Sequence, residues 1–71
     1  MSVYKVIQLV GTSSEGWEDA ARTAVNRASQ SLRDLRIATV DTLDVVIEDG
    51  EITTFRAKVD LSFRYEDDPG A

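Results

Sequence analysis

Apolar side chains dominate the segment Val3 to Val10 (VYKVIQLV), whose β-branched and aromatic residues predict a strand. Val3, Lys5, Ile7 and Leu9 fall on one face; Tyr4, Val6, Gln8 and Val10 fall on the other. Both faces are largely apolar, and a two-layer domain with a single helix can cover only one of them. After the loop Gly11-Thr12-Ser13-Ser14-Glu15-Gly16 the spacing changes to three and four. Trp17, Ala20, Ala21, Ala24, Val25, Ala28 and Leu32 form one stripe, which predicts a helix from Ser14 to Ser31 or Leu32. Ser13 is the expected N-cap, with Thr12 and Glu15 offering a capping box as the alternative. The opposite face carries Glu18, Arg22, Asn26, Ser29 and Arg33, with Glu18 and Arg22 spaced for an i,i+4 ion pair.

Strand composition returns from Arg36 to Glu48, but the alternation breaks: Ala38 and Val40 favour one face, Leu43, Val45 and Ile47 the other. A bulge near Asp41-Thr42 produces such a switch, as does a long strand that leaves its own domain to pack on a neighbour. Glu48-Asp49-Gly50-Glu51 reads as a hairpin turn on its Asp-Gly pair. Phe55, Ala57, Val59, Leu61, Phe63 and Tyr65 then alternate with Thr54, Arg56, Lys58, Asp60, Ser62 and Arg64, a long half-buried strand. The predicted fold class is α+β: a two-layer β-α-β-β subunit whose antiparallel three-stranded sheet, in order 1-3-2, packs on one helix. One domain spans residues 1–65, and 66–71 form an acidic, flexible C-terminal tail.

A chain of 71 residues holds one small domain. It contains no cysteine and no histidine, which excludes disulfides, thiolate or imidazole metal sites and the Ser-His-Asp triad. Domains this small need staples, metals or partners, so self-association is the leading expectation. A net charge of -5 argues against nucleic acid as a partner. The start of the chain lacks a basic, signal-like segment, and no apolar run is long enough to span a membrane, so the expected location is cytoplasmic.

Candidate chemistry is sparse. The three carboxylates of Glu48, Asp49 and Glu51 could ligate calcium, but an acidic hairpin turn is ordinarily just solvated. Asp41 and Asp44 are unusual inside a strand; they either pair with Arg56 or Lys58 on the next strand or meet symmetry copies around a cation. Trp17 on the helix stripe reads as a core or interface anchor, and Gly11 as a turn glycine.

The opening Tyr4-Lys5-Val6-Ile7-Gln8-Leu9-Val10-Gly11-Thr12-Ser13-Ser14-Glu15-Gly16, with Arg27-Ala28 and the ending Val59-Asp60-Leu61-Ser62-Phe63-Arg64-Tyr65-Glu66-Asp67, resembles the dodecins. The resemblance covers nearly the whole chain and implies a homo-dodecamer, a hollow shell of twelve strand–helix–strand–strand subunits. Many dodecins store flavins. There a tryptophan opening the second strand stacks on the ring and a glutamine on the third strand bonds its edge. Ile37 and Arg56 stand at those places here, and Asp44 stands where bacterial flavin-binding members tend to carry arginine; Arg64 matches a basic residue near the ligand. These departures argue against the usual flavin mode. The sequence looks closer to a flavin-poor branch associated with calcium, for which Asp41, Asp44, Glu48 and Asp60 are the candidate ligands. The expected function is a non-enzymatic dodecameric shell for binding or sequestering a small ligand or cation, with calcium the candidate cation. The alternatives are a flavin (FMN or riboflavin) storage protein with a remodelled pocket and a small protein–protein interaction module.

Overall fold

The computed structural model describes residues 2–67, and the side chains of residues 2–64. Four elements follow in order: β1 (Ser2–Ser13), α1 (Trp17–Ser29), β2 (Leu35–Glu48) and β3 (Glu51–Asp67). The strands form one sheet ordered β1-β3-β2, with β3 antiparallel to both neighbours, the expected α+β arrangement. Of the acidic tail expected at 66–71, residues 68–71 lie outside the described residues. The backbone of Glu66 and Asp67 continues β3 against Val3 and Ser2.

The core is small and tightly spaced. Ala20, Ala24 and Ala28 of α1 are buried against Ala57, Val59 and Leu61 of β3. Ile7, Leu9, Val25, Leu32 and Leu35 pack around this centre. Alanines on the helix stripe let the two layers approach closely, and Gly11 carries that approach to its limit. It is buried within β1, where an added Cβ would run into the Ala20 carbonyl and sit 3.0 Å from the Ala24 Cβ. Gly11 is therefore a packing glycine inside a strand rather than the turn glycine expected, and β1 runs three residues past Val10.

The helix, Trp17–Ser29, is shorter at both ends than the span predicted from Ser14 to Ser31 or Leu32. Its N-cap is Gly16 in an extended conformation, with no side-chain cap. Ser13 does not cap it: its hydroxyl accepts the Glu15 N–H at 2.8 Å and donates to Asp19 Oδ2 at 2.6 Å, which shapes the preceding loop instead. At the far end Ser31 and Leu32 both donate to the Ala28 carbonyl, and the chain leaves through Asp34 at φ 59°. Glu18 and Arg22 make the expected i,i+4 pair at 2.9 Å.

Asp49 and Gly50 both have positive φ (52° and 79°), as a two-residue type I′ hairpin requires. The bulge expected near Asp41-Thr42 is present: Val40 opposes Val59 and Thr42 opposes Lys58, leaving Asp41 as the extra residue. It returns Leu43 and Val45 to the helix side of the sheet, opposite Ala57 and Phe55.

Element lengths leave much of the sheet bare. A helix of 13 residues is about 20 Å long, whereas 17 residues of strand span about 56 Å. The molecule is accordingly elongated, 58 × 19 × 13 Å, with a radius of gyration of 15.0 Å. A compact chain of this length has one of about 11 Å. The helix lies over β1 and β3, and Val40, Leu43, Ile47 and Ile52 of the hairpin stay exposed. Tyr4, Val6, Val10 and Ile37 are exposed on the opposite face, which no element among the described residues covers.

Candidate functional site

The uncovered face is organised by register into rows across the three strands. Thr12, Arg56 and Asp44 form one row; Val10, Lys58 and Thr42 the next; Gln8, Asp60 and Thr39 a third; Val6, Ser62 and Ile37 a fourth. Tyr4 and Arg64 follow at the end. Each row takes its side chains from the alternate positions that turn away from the helix.

The best-defined geometry lies in the first row. Arg56 Nε donates to Asp44 Oδ1 at 2.7 Å and its Nη2 donates to Oδ2 at 2.8 Å, a two-pronged pair in which both side chains are nearly half exposed. Hydrogen bonding from Arg56 holds the Asp44 carboxyl below its ordinary range, and the carboxylate in turn pushes the Arg56 guanidinium up. The cross-strand pairing weighed for Asp44 is thus realised, with Arg56 rather than Lys58. Trp17 secures the arrangement from the helix: its indole Nε1 donates to the Asp44 carbonyl at 2.9 Å. Its ring meets Phe55 edge-on, with centroids 5.3 Å apart at 82°. Trp17 is an anchor, as its place on the stripe suggested, and it fastens the start of α1 to the projecting hairpin.

Of the four positions singled out as a ligand pocket, Asp44 and Arg56 meet within one chain, while Ile37 and Arg64 stand apart from them. Ile37 opposes Ser62 while Asp44 opposes Arg56, so they are six residues of β3 apart, about 20 Å. Arg64 lies two residues farther still. Ile37 borders a cleft of about 130 Å³ between α1 and β2, lined also by Val25, Leu35, Arg36, Ala38 and Leu61. It is 61% exposed and provides an apolar surface rather than a stacking ring.

The candidate metal ligands are likewise dispersed. Asp44 is engaged by Arg56, Glu48 accepts from Thr53 Oγ1 at 2.9 Å, and Asp60 accepts from Gln8 Nε2 at 2.8 Å. Asp41 is exposed at the bulge. Among the described residues, no three acidic side chains are grouped so as to hold a metal ion. Gln8 was not singled out from the sequence; its place opposite Asp60 depends on a register that no local pattern specifies. No helix among the described residues is long and apolar enough to cross a membrane.

Comparison with known proteins agrees with this architecture. Residues 3–66 match the Dodecin family. The chain is 45% identical over 64 residues to the calcium dodecin of Mycobacterium tuberculosis, covering 90% of each. It superposes on dodecin from Streptomyces coelicolor with a TM-score of 0.87 at 41% identity, over 93% of this chain and 94% of the other. A crystal structure of the M. tuberculosis calcium dodecin, described as calcium-chelating and as having a novel calcium-binding site, superposes with a TM-score of 0.82 at 44% identity. That superposition covers 99% of this chain and 97% of the other.

Proposed function

The chain belongs to the dodecin family, and from that premise we propose that it is a non-enzymatic, self-assembling shell protein that binds and stores a small ligand or a cation, with calcium the leading candidate. The observation that carries this reading is the bare sheet face. It holds the pocket positions Ile37, Asp44, Arg56 and Arg64, yet spreads them over more than 20 Å of one strand, so that a closed site needs side chains from more than one copy. Exposed apolar residues on both sides of the sheet supply the surface for such association, and twelve copies is the stoichiometry we assign. The same argument applies to Asp41, Asp44, Glu48 and Asp60, which can surround a cation only where copies meet. The 45% identity to a calcium dodecin favours calcium among cations.

Flavin binding in a remodelled pocket is the second reading, and one observation favours it. Arg56 presents an oriented, half-exposed guanidinium on the bare face, able to stack on a ring or donate to its edge. Native mass spectrometry of the purified protein, with and without a chelator, tests both readings. We expect a twelve-subunit mass carrying calcium that the chelator removes. Retained flavin in place of calcium supports the second reading, and a monomer overturns both in favour of an interaction module.

A further inference from the structure

The hairpin turn sets an aspartyl carboxyl beside an unhindered amide nitrogen in the chain. Asp49 is the single aspartate of the sequence that is followed by glycine, and both residues are exposed. Nothing lies within 4 Å of the place a Cβ on Gly50 would take. Among the described residues no partner holds the Asp49 carboxyl or the Gly50 N–H, whereas Asp44, Glu48 and Asp60 are all engaged by neighbours. A carboxyl one bond removed from the main chain, next to an open amide nitrogen, is the arrangement from which a five-membered succinimide ring forms.

The closed turn opposes that reaction. Asp49 sits at φ 52° in a type I′ turn, whose ψ at this position is about 30°. For an L residue such a ψ sets the Gly50 nitrogen nearly opposite Cβ across the Cα–C bond, out of reach of the side chain. The ring can close only after the turn opens. Two features hold it shut: Thr53 Oγ1 donates to Glu48 Oε1 at 2.9 Å across the turn, and Ile47 and Glu48 pair with Ile52 and Glu51. Neither isoleucine is covered, Ile47 being 63% and Ile52 55% exposed. A hairpin end with so little buried surface opens locally, without unfolding the rest of the chain.

We propose that Asp49 is a site of spontaneous isomerisation to isoaspartate, gated by opening of the hairpin turn. In the opened turn the Gly50 nitrogen attacks Cγ of the protonated Asp49 carboxyl. The N–Cγ bond forms, the Cγ–OH bond breaks, and the hydroxyl leaves with the Gly50 N–H proton as water. Water then adds to either carbonyl of the ring. Breaking the N–Cγ bond restores aspartate; breaking the bond between that nitrogen and the Asp49 main-chain carbonyl carbon leaves the main chain running through Cβ and Cγ. One water is lost and one regained, and no oxidant or reductant takes part. The product has an extra backbone carbon and cannot adopt the two-residue turn, so the change leaves the tip permanently open. Neither calcium nor flavin enters the reaction.

The full-length assembled protein is aged in warm neutral buffer, sampled over weeks and digested with trypsin. The peptide 37–56 carries Asp41, Asp44 and Asp49 together, so the first two serve as internal controls. Chromatography separates the isomers, and backbone fragmentation places the isoaspartate. A second peak of unchanged mass, modified at Asp49, is expected. Thr53→Val keeps the β-branched shape and removes the donor to Glu48; it should speed the conversion by roughly two- to tenfold, the population shift worth one hydrogen bond. Unfolding in guanidinium should speed it further. Isoaspartate absent from aged native protein overturns the proposal, whether or not it forms in guanidinium. Equal conversion at Asp41 or Asp44 overturns the choice of site. A Thr53→Val rate equal to that of the wild type, in an assembly of unchanged mass, overturns the gating. Should Thr53→Val fail to assemble, the native rate against the unfolded one carries the test, and equal rates overturn the gating.

Discussion

Replacing Gly11 with alanine tests the closest contact in the fold. The added Cβ would enter the Ala20 carbonyl and lie 3.0 Å from the Ala24 Cβ, against about 3.5–4.0 Å for carbons in favourable contact. The obstruction is helix backbone, which cannot rotate aside as a flexible side chain can. The helix must lift by roughly 0.5–1 Å, and a gap of that size forfeits a quarter to a half of the dispersion energy of each contact it opens. Overpacking of this kind costs about 1–3 kcal/mol. At about 0.05–0.15 kcal/mol per residue, the whole chain has only about 4–11 kcal/mol to lose. Guanidinium denaturation followed by Trp17 emission reads the change, at one fixed protein concentration because association contributes to stability. Gly16→Ser is the internal comparison: its backbone is extended, nothing lies within 4 Å of an added Cβ, and serine at an N-cap should change stability by a few tenths of a kcal/mol. If Gly11→Ala unfolds at the same midpoint as Gly16→Ser, close approach is not what places glycine at position 11.

Three further outcomes are expected. Leu61→Ala, at the largest fully buried side chain, should destabilise by about 2–5 kcal/mol in the same denaturation assay, since a core of alanines has little with which to fill the space. Trp17→Phe removes the donor to the Asp44 carbonyl and should cost about 0.5–1.5 kcal/mol, with faster amide exchange around Asp44 by NMR and little change at the far end of β1. The Asp44 carboxyl should titrate below its ordinary value of 3.8, because Arg56 stabilises its charged form. Its contribution to stability is therefore fully present above that value and is lost as pH falls through the lowered folded-state value; carbon-detected NMR should show this depression, and Arg56→Gln should abolish it.

How far the site was legible depended on how local its determinants are. The choice of Arg56 over Lys58 as partner for Asp44 was not legible, because it turns on the register set by the Asp49-Gly50 turn and by the shift between Val46 and Ile47, which no local pattern specifies. The helix start was misplaced for a related reason. Ser13 is a good capping residue by type, but β1 holds it until position 13, and its hydroxyl is spent on Glu15 and Asp19.

Sequence by itself determined the order of the elements, the Asp49-Gly50 turn, the alanine stripe of the helix and the two apolar faces of β1, because each follows from a local period or from the φ that a residue tolerates. It also determined the absence of histidine and cysteine chemistry. Tertiary structure alone decided that Gly11 lies beneath the helix, that Trp17 reaches Asp44, and that Ile37 and Arg56 stand far apart on one face. Those facts depend on strand register and on how closely two layers approach, quantities summed over the whole sheet rather than carried by any single segment.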